Sequence, residues 1–96
     1  MKPLHWEEIE NLADQKATLL TKTRVPFQIV SASEETLTVC VRSGEEYTLR
    51  RANLEKAVHL LHTGAVLNGP QDYRDQVADE RPAYAWAILR AMGHLK

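Results

Sequence analysis

Glu55, His59 and His62 fall at i, i+4 and i+7, so a helix through them presents two imidazoles and a carboxylate on one side. That donor set suits zinc or iron. The same positions border the apolar stripe Leu54, Ala57, Val58 and Leu61, on a flank expected to be solvated. A metal there has no second shell of hydrogen bonds to orient its ligands. A surface helix that carries histidines accounts for the pattern, and no metal or cofactor is expected.

Nucleophiles are few. Cys40 is the only cysteine, and no histidine falls in the segment around it to lower its pKa or take its proton. The serines, Ser31, Ser33 and Ser43, sit at expected strand ends and turns, without the strand-turn-helix setting of a nucleophile elbow. Asp72, Asp75, Asp79 and Glu80 form an acidic run, but paired-carboxylate catalysis needs a cleft that shifts one pKa, and a solvated face is the plainer account. The four glycines, Gly44, Gly64, Gly69 and Gly93, are claimed by a hairpin turn, helix stops and a Gly-Pro break, which leaves none for a phosphate loop. The chain reads as non-catalytic, unless an activity is assembled between chains.

The elements that position these residues follow from periodicity. Trp6, Ile9, Ala13, Ala17 and Leu20 recur at steps of three or four, widened by Leu12 and Leu19, which predicts a helix from residue 4 to about 20 entered at Pro3. After Pro26 the period becomes two: Phe27, Ile29 and Ser31, then Leu37, Val39 and Val41, then Tyr47 and Leu49. The short links Ser33-Glu34-Glu35 and Ser43-Gly44-Glu45 require antiparallel neighbours. Leu54, Ala57, Val58 and Leu61 predict a second helix over 51–63, Gln71 to Ala78 a short third one, and Pro82 opens a last one through Ala85, Ile88, Leu89 and Met92. The expectation is one domain over 1–96 of the α+β class, ordered α-β-β-β-α-α-α. It is a three-stranded antiparallel meander covered on one face by the N-terminal helix and two to three C-terminal helices.

Two surfaces follow. One sheet face is expected to carry Gln28, Val30, Ala32, Thr36, Thr38, Cys40, Arg42, Thr48 and Arg50, short side chains with two arginines and no acid. Threonine suits a solvent-facing strand, which is the bland account. The functional one is nucleic-acid contact by Gln28, Thr38, Arg42, Thr48, Arg50 and Arg51. Charge opposes it: residues 25–50 hold two arginines against Glu34, Glu35, Glu45 and Glu46, and no aromatic on that face can stack on a base. The second surface is aromatic. With Ala85, Ile88, Leu89 and Met92 facing inward, Trp86 is expected on the flank of the last helix, and with Tyr84 and Trp6 it forms a candidate protein interface. The bland account has all three aromatics closing the rim of a small core. The irregular stretch 64–74 either rims a groove with Asn68, Tyr73 and Arg74 or packs Val66 and Leu67.

The whole has 96 residues, 44% hydrophobic and 26% charged, with 12 basic and 13 acidic side chains for a net charge of −1. Neither a strongly basic nucleic-acid module nor a disulfide scaffold fits. No apolar run approaches the roughly 18 residues of a membrane span, and a cytoplasmic setting is expected. The favoured reading is a binding or assembly module, a homo-oligomer or an accessory subunit that associates through the exposed sheet edge or the aromatic C-terminal helix; a nucleic-acid accessory is the alternative.

Overall fold

The computed structural model describes residues 4–77 and 81–95. In chain order the elements are α1 (Trp6–Asp14), β1 (Thr18–Leu20), β2 (Pro26–Ala32), β3 (Thr36–Val41), β4 (Glu46–Arg50), α2 (Arg51–His62), α3 (Pro70–Val77) and α4 (Pro82–Ala91). Pro3, Ala78, Asp79 and Glu80, each expected to take part in an element or a charged run, lie outside the described residues.

The class is α+β, but the sheet has four antiparallel strands, in the order β1-β2-β3-β4, where the periodicity predicted three. The difference arises at the end of α1. Lys16 adopts φ 49°, and the amides of Lys16 and Ala17 turn back to the carbonyls of Ala13 and Leu12 at 3.0 and 2.9 Å. This is a Schellman stop, and it frees residues 18–20 to return as β1, with Leu19 opposite Phe27. Helices α2 and α4 stop by the same pair of bonds, around Gly64 at φ 96° and Gly93 at φ 85°. A lysine performs in α1 what a glycine performs in the other two, so no glycine marks the stop.

On the covered side of the sheet, Phe27, Ile29, Leu37, Val39 and Leu49 are buried in one continuous core with Ile9, Leu54, Tyr73, Ile88 and Leu89. A bulge separates Ile29 from Ser31 on β2, where the register steps from Ile29 opposite Val39 to Ser31 opposite Thr38. Strict alternation puts Ser31 inside and Ala32 outside; the extra residue reverses both, and Ala32 packs against the core opposite Leu37. Helix α4 is buried at Ala85, Trp86, Ala87, Ile88 and Leu89. Residues 82–89 carry no charged side chain, which is the composition of a helix enclosed on most sides.

Lys16→Gly is expected to stabilise the chain by about 0.5–1 kcal/mol, since glycine occupies the left-handed region without the Cβ clash. A urea titration should show a higher midpoint at unchanged slope. An unchanged or lower midpoint contradicts this account of the helix stop.

Candidate functional site

Two loops are held by side chains that the sequence offers as recognition groups. Three consecutive carbonyls of the β2–β3 turn each receive a donor. The Trp6 indole N–H donates to Ser33 O at 2.7 Å, the Arg51 guanidinium to Glu34 O at 3.0 Å, and the Arg51 amide to Glu35 O at 2.8 Å. Arg51 also pairs through Nε with Glu55 at 3.0 Å, and its guanidinium lies 5.2 Å from the Trp6 ring centre. The loop before α3 is held in the same way. Gln76 donates to Val66 O at 3.1 Å, the Trp86 indole to Leu67 O at 3.1 Å and Lys22 to Asn68 O at 3.2 Å. A bent segment that packs against a core must satisfy its carbonyls, and these side chains do so.

The aromatic surface is corrected accordingly. Trp86 is 3% exposed and Trp6 6%, so neither indole projects as an anchor. Tyr84 is half-buried, edge-on to Phe27 at 5.1 Å and stacked on Tyr47 at 6.0 Å, and Arg81 caps Tyr47 at 4.0 Å. The Tyr47 hydroxyl donates to Glu45 Oε2 at 2.8 Å, and that bond, with partial desolvation and the carboxylate's charge, raises its pKa above 10.0. In the 64–74 stretch, Tyr73 and Leu67 are buried and Asn68 donates its amide to Asp72, while Val66 is 61% exposed.

The basic residues do not gather. Arg42 lies in the turn after β3 and Arg50 opposite Thr36 at the other end of that strand, about 20 Å away. Arg51 is committed to the β2–β3 turn and to Glu55. Between α1, that turn and the β4–α2 junction lies an open groove of about 1160 Å³, lined by Glu7, Glu10, Glu34, Glu35 and Glu55 with Arg50 and Arg51. Five carboxylates facing two arginines repel phosphate. Glu46, opposite Cys40, puts an acid on a sheet face expected to hold none.

Glu55, His59 and His62 are exposed on α2, Glu55 is taken by Arg51, and no group of three metal-ligating side chains gathers among the described residues. Cys40 stands between Gln28 and Glu46 on neighbouring strands, and the histidines at 5, 59, 62 and 94 lie off the sheet. Asp72 and Asp75 accept from Asn68 and Gln71.

What remains open is the far side of the sheet and one of its edges. Thr18, Ser31, Glu46, Thr48 and Arg50 are exposed there, and Gln28, Thr38 and Cys40 half-exposed. Among the described residues, β4 pairs with β3 alone. Its direction of hydrogen bonding is set at both ends, by Val41 N–H to Glu45 O at 2.9 Å and Arg51 N–H to Glu35 O at 2.8 Å. Backbone groups alternate sides along a strand, so Tyr47 and Leu49 also face β3, and Glu46, Thr48 and Arg50 aim theirs outward. A meander already makes this strand an edge, but sequence alternation alone cannot tell which of its backbone groups face outward, because that depends on the pairing with β3.

Comparison of the chain with protein-family models, with curated proteins and with solved structures yields no match.

Trp86→Ala is expected to cost about 3–5 kcal/mol, through the cavity and the orphaned Leu67 carbonyl, and not to produce a folded chain deficient only in association. Thermal unfolding by circular dichroism checks this. A variant as stable as the parent contradicts the assignment of Trp86 to the core.

Proposed function

We propose that this chain is a non-catalytic binding module that assembles with protein, as a homo-oligomer or an accessory subunit, through the open side of its sheet. The observation that carries the proposal is the outer edge of β4, where the peptide groups of Glu46, Thr48 and Arg50 meet no strand among the described residues. An added strand takes its affinity from main-chain bonds at such an edge and its specificity from alternate side chains. Natural sheets blunt a free edge with charged side chains, lysine above all, with proline, with a bulge or by brevity. β1, at the other edge, is three residues long and flanked by Lys16 and Lys22. β4 has five residues without lysine, proline or bulge, and its two charges, Glu46 and Arg50, are of opposite sign. At the middle of the edge the exposed side chain is the short one of Thr48, so a docking chain can come close there.

Catalysis has less support, because the described residues do not place an acid, a base and a nucleophile together. Nucleic-acid binding has less support as well: its basic residues stand apart, one is internally committed, and the groove beside Arg50 is acidic.

Thr48→Pro tests the proposal. Its amide faces outward, so proline removes no bond to β3, and edge strands tolerate it. Peptides selected from a displayed library against the immobilised full chain are expected to bind the parent at least about tenfold more tightly than Thr48→Pro, the loss of main-chain bonds setting the scale. Equal binding to both, or no peptide retained, contradicts the proposal.

A further inference from the structure

The sequence of β4, Glu46-Tyr47-Thr48-Leu49-Arg50, is complementary to itself when reversed. We propose that the partner at this edge is a second copy of the chain, joined through β4 about a two-fold axis at Thr48 to make one continuous eight-stranded sheet. The inference rests on the reading of the edge as a docking surface and names its occupant.

The register follows from charge and backbone together. In antiparallel pairing centred on Thr48, Thr48 meets Thr48 of the second copy, Glu46 meets Arg50, and Arg50 meets Glu46. These are the three residues whose backbone groups point outward and whose side chains are exposed. Opposite charges directly across a pair of strands are favourable, and like charges there are not. Glu46 and Arg50 stand about 13 Å apart on one strand, too far to satisfy each other, and exposed Arg50, which also borders the groove with Glu34, Glu35 and Glu55, must turn from it to meet Glu46 across the axis. Moving the axis to Tyr47 puts Glu46 opposite Thr48, and moving it to Leu49 puts Arg50 opposite Thr48. Only the axis at Thr48 pairs both charges, and it does so twice because the interface is isologous.

The backbone then closes four bonds. The two Thr48 residues exchange a pair. Each Arg50 amide donates to the Glu46 carbonyl opposite, while the Arg50 carbonyl is spent on the first turn of α2 as its N-cap. On the covered side, Tyr47 and Leu49 are already enclosed by their own chain, Leu49 in the core and Tyr47 between Tyr84 and Arg81, so the pairing rests on the backbone and the charges. A five-residue edge is a small interface, and the association is expected to be weak and concentration-dependent.

Sedimentation equilibrium of the full chain over a wide concentration range tests this. The mass should rise from 10.9 kDa toward twice that value. Glu46→Arg and Arg50→Glu should each weaken association roughly tenfold or more, because each turns two attractive pairs into two like-charge pairs. The double exchange Glu46→Arg with Arg50→Glu should restore it to within about threefold of the parent by regenerating those pairs. Thr48→Lys, which sets two lysines face to face on the axis, should leave a folded monomer, confirmed by an unchanged melting curve. A parent that stays at 10.9 kDa throughout overturns the proposal. So does an association that survives the single reversals, or one that the double exchange fails to restore. A monomeric parent that still binds displayed peptides, with Thr48→Pro losing them, overturns self-pairing and leaves the docking edge standing. A monomeric parent with no such difference removes both.

Discussion

Every peptide group in a strand faces one neighbour or the other, and the last strand of an open sheet has only one neighbour. In this chain the bonds from Val41 to Glu45 and from Arg51 to Glu35 decide which half of β4 is answered. Those two contacts also join β4 to the turns at either end of β3, so the same geometry that completes the fold leaves Glu46, Thr48 and Arg50 unmatched. The helices cannot relieve this. They are committed to the side of the sheet that carries Phe27, Ile29, Leu37, Val39 and Leu49, because that is where the apolar area lies. A one-sided core therefore gives the chain an open face and an open edge together.

The side chains that look most like recognition groups serve the interior. Trp6, Trp86 and Arg51 each join an apolar or stacking surface to a donor, and each uses the donor on a carbonyl of a tight loop. Arg90 does the same for the β1–β2 hairpin, reaching the carbonyls of Leu20 and Thr21 at 3.0 and 3.3 Å while its guanidinium lies 4.8 Å from the Trp86 ring centre. In a chain of 96 residues the loops are a large share of the backbone, and the core alone cannot order them. Amphipathic side chains that bury a body and donate from a tip are suited to the task.

Much of the architecture is legible in the sequence wherever a pattern repeats. Two-residue alternation marks β2, β3 and β4, and helical spacing marks α2 and α4, with Gly64 and Gly93 at the stops. The misreadings have definite causes. The stop of α1 has no glycine, since Lys16 takes the left-handed conformation, and Ala17, just before β1, and Leu20 within it continue the helical stripe by coincidence. One bulged residue at Val30 inverts the faces of Ser31 and Ala32. Trp86 reads as a flank residue if α4 has one buried stripe, but α4 is enclosed, and the missing charges over 82–89 are the available signal. That the meander leaves an exposed edge is legible in the sequence, but which residues of that edge turn their backbone outward is not. Thr48, Arg50 and Glu46 are ordinary strand residues by type, and their outward backbone is a property of the pairing with β3.

Amide hydrogen exchange of the full chain, resolved by residue and followed as concentration rises, tests the central claim most directly. Tyr47 and Leu49 should be protected throughout by β3. Thr48 and Arg50 should exchange quickly when dilute and gain protection as the concentration increases, with Glu46 remaining fast because no carbonyl meets it across the axis. Thr48 and Arg50 amides that are equally slow at every concentration mean that the edge is covered within one chain. Amides that stay fast at every concentration mean that it pairs with no second copy, and either result contradicts the account.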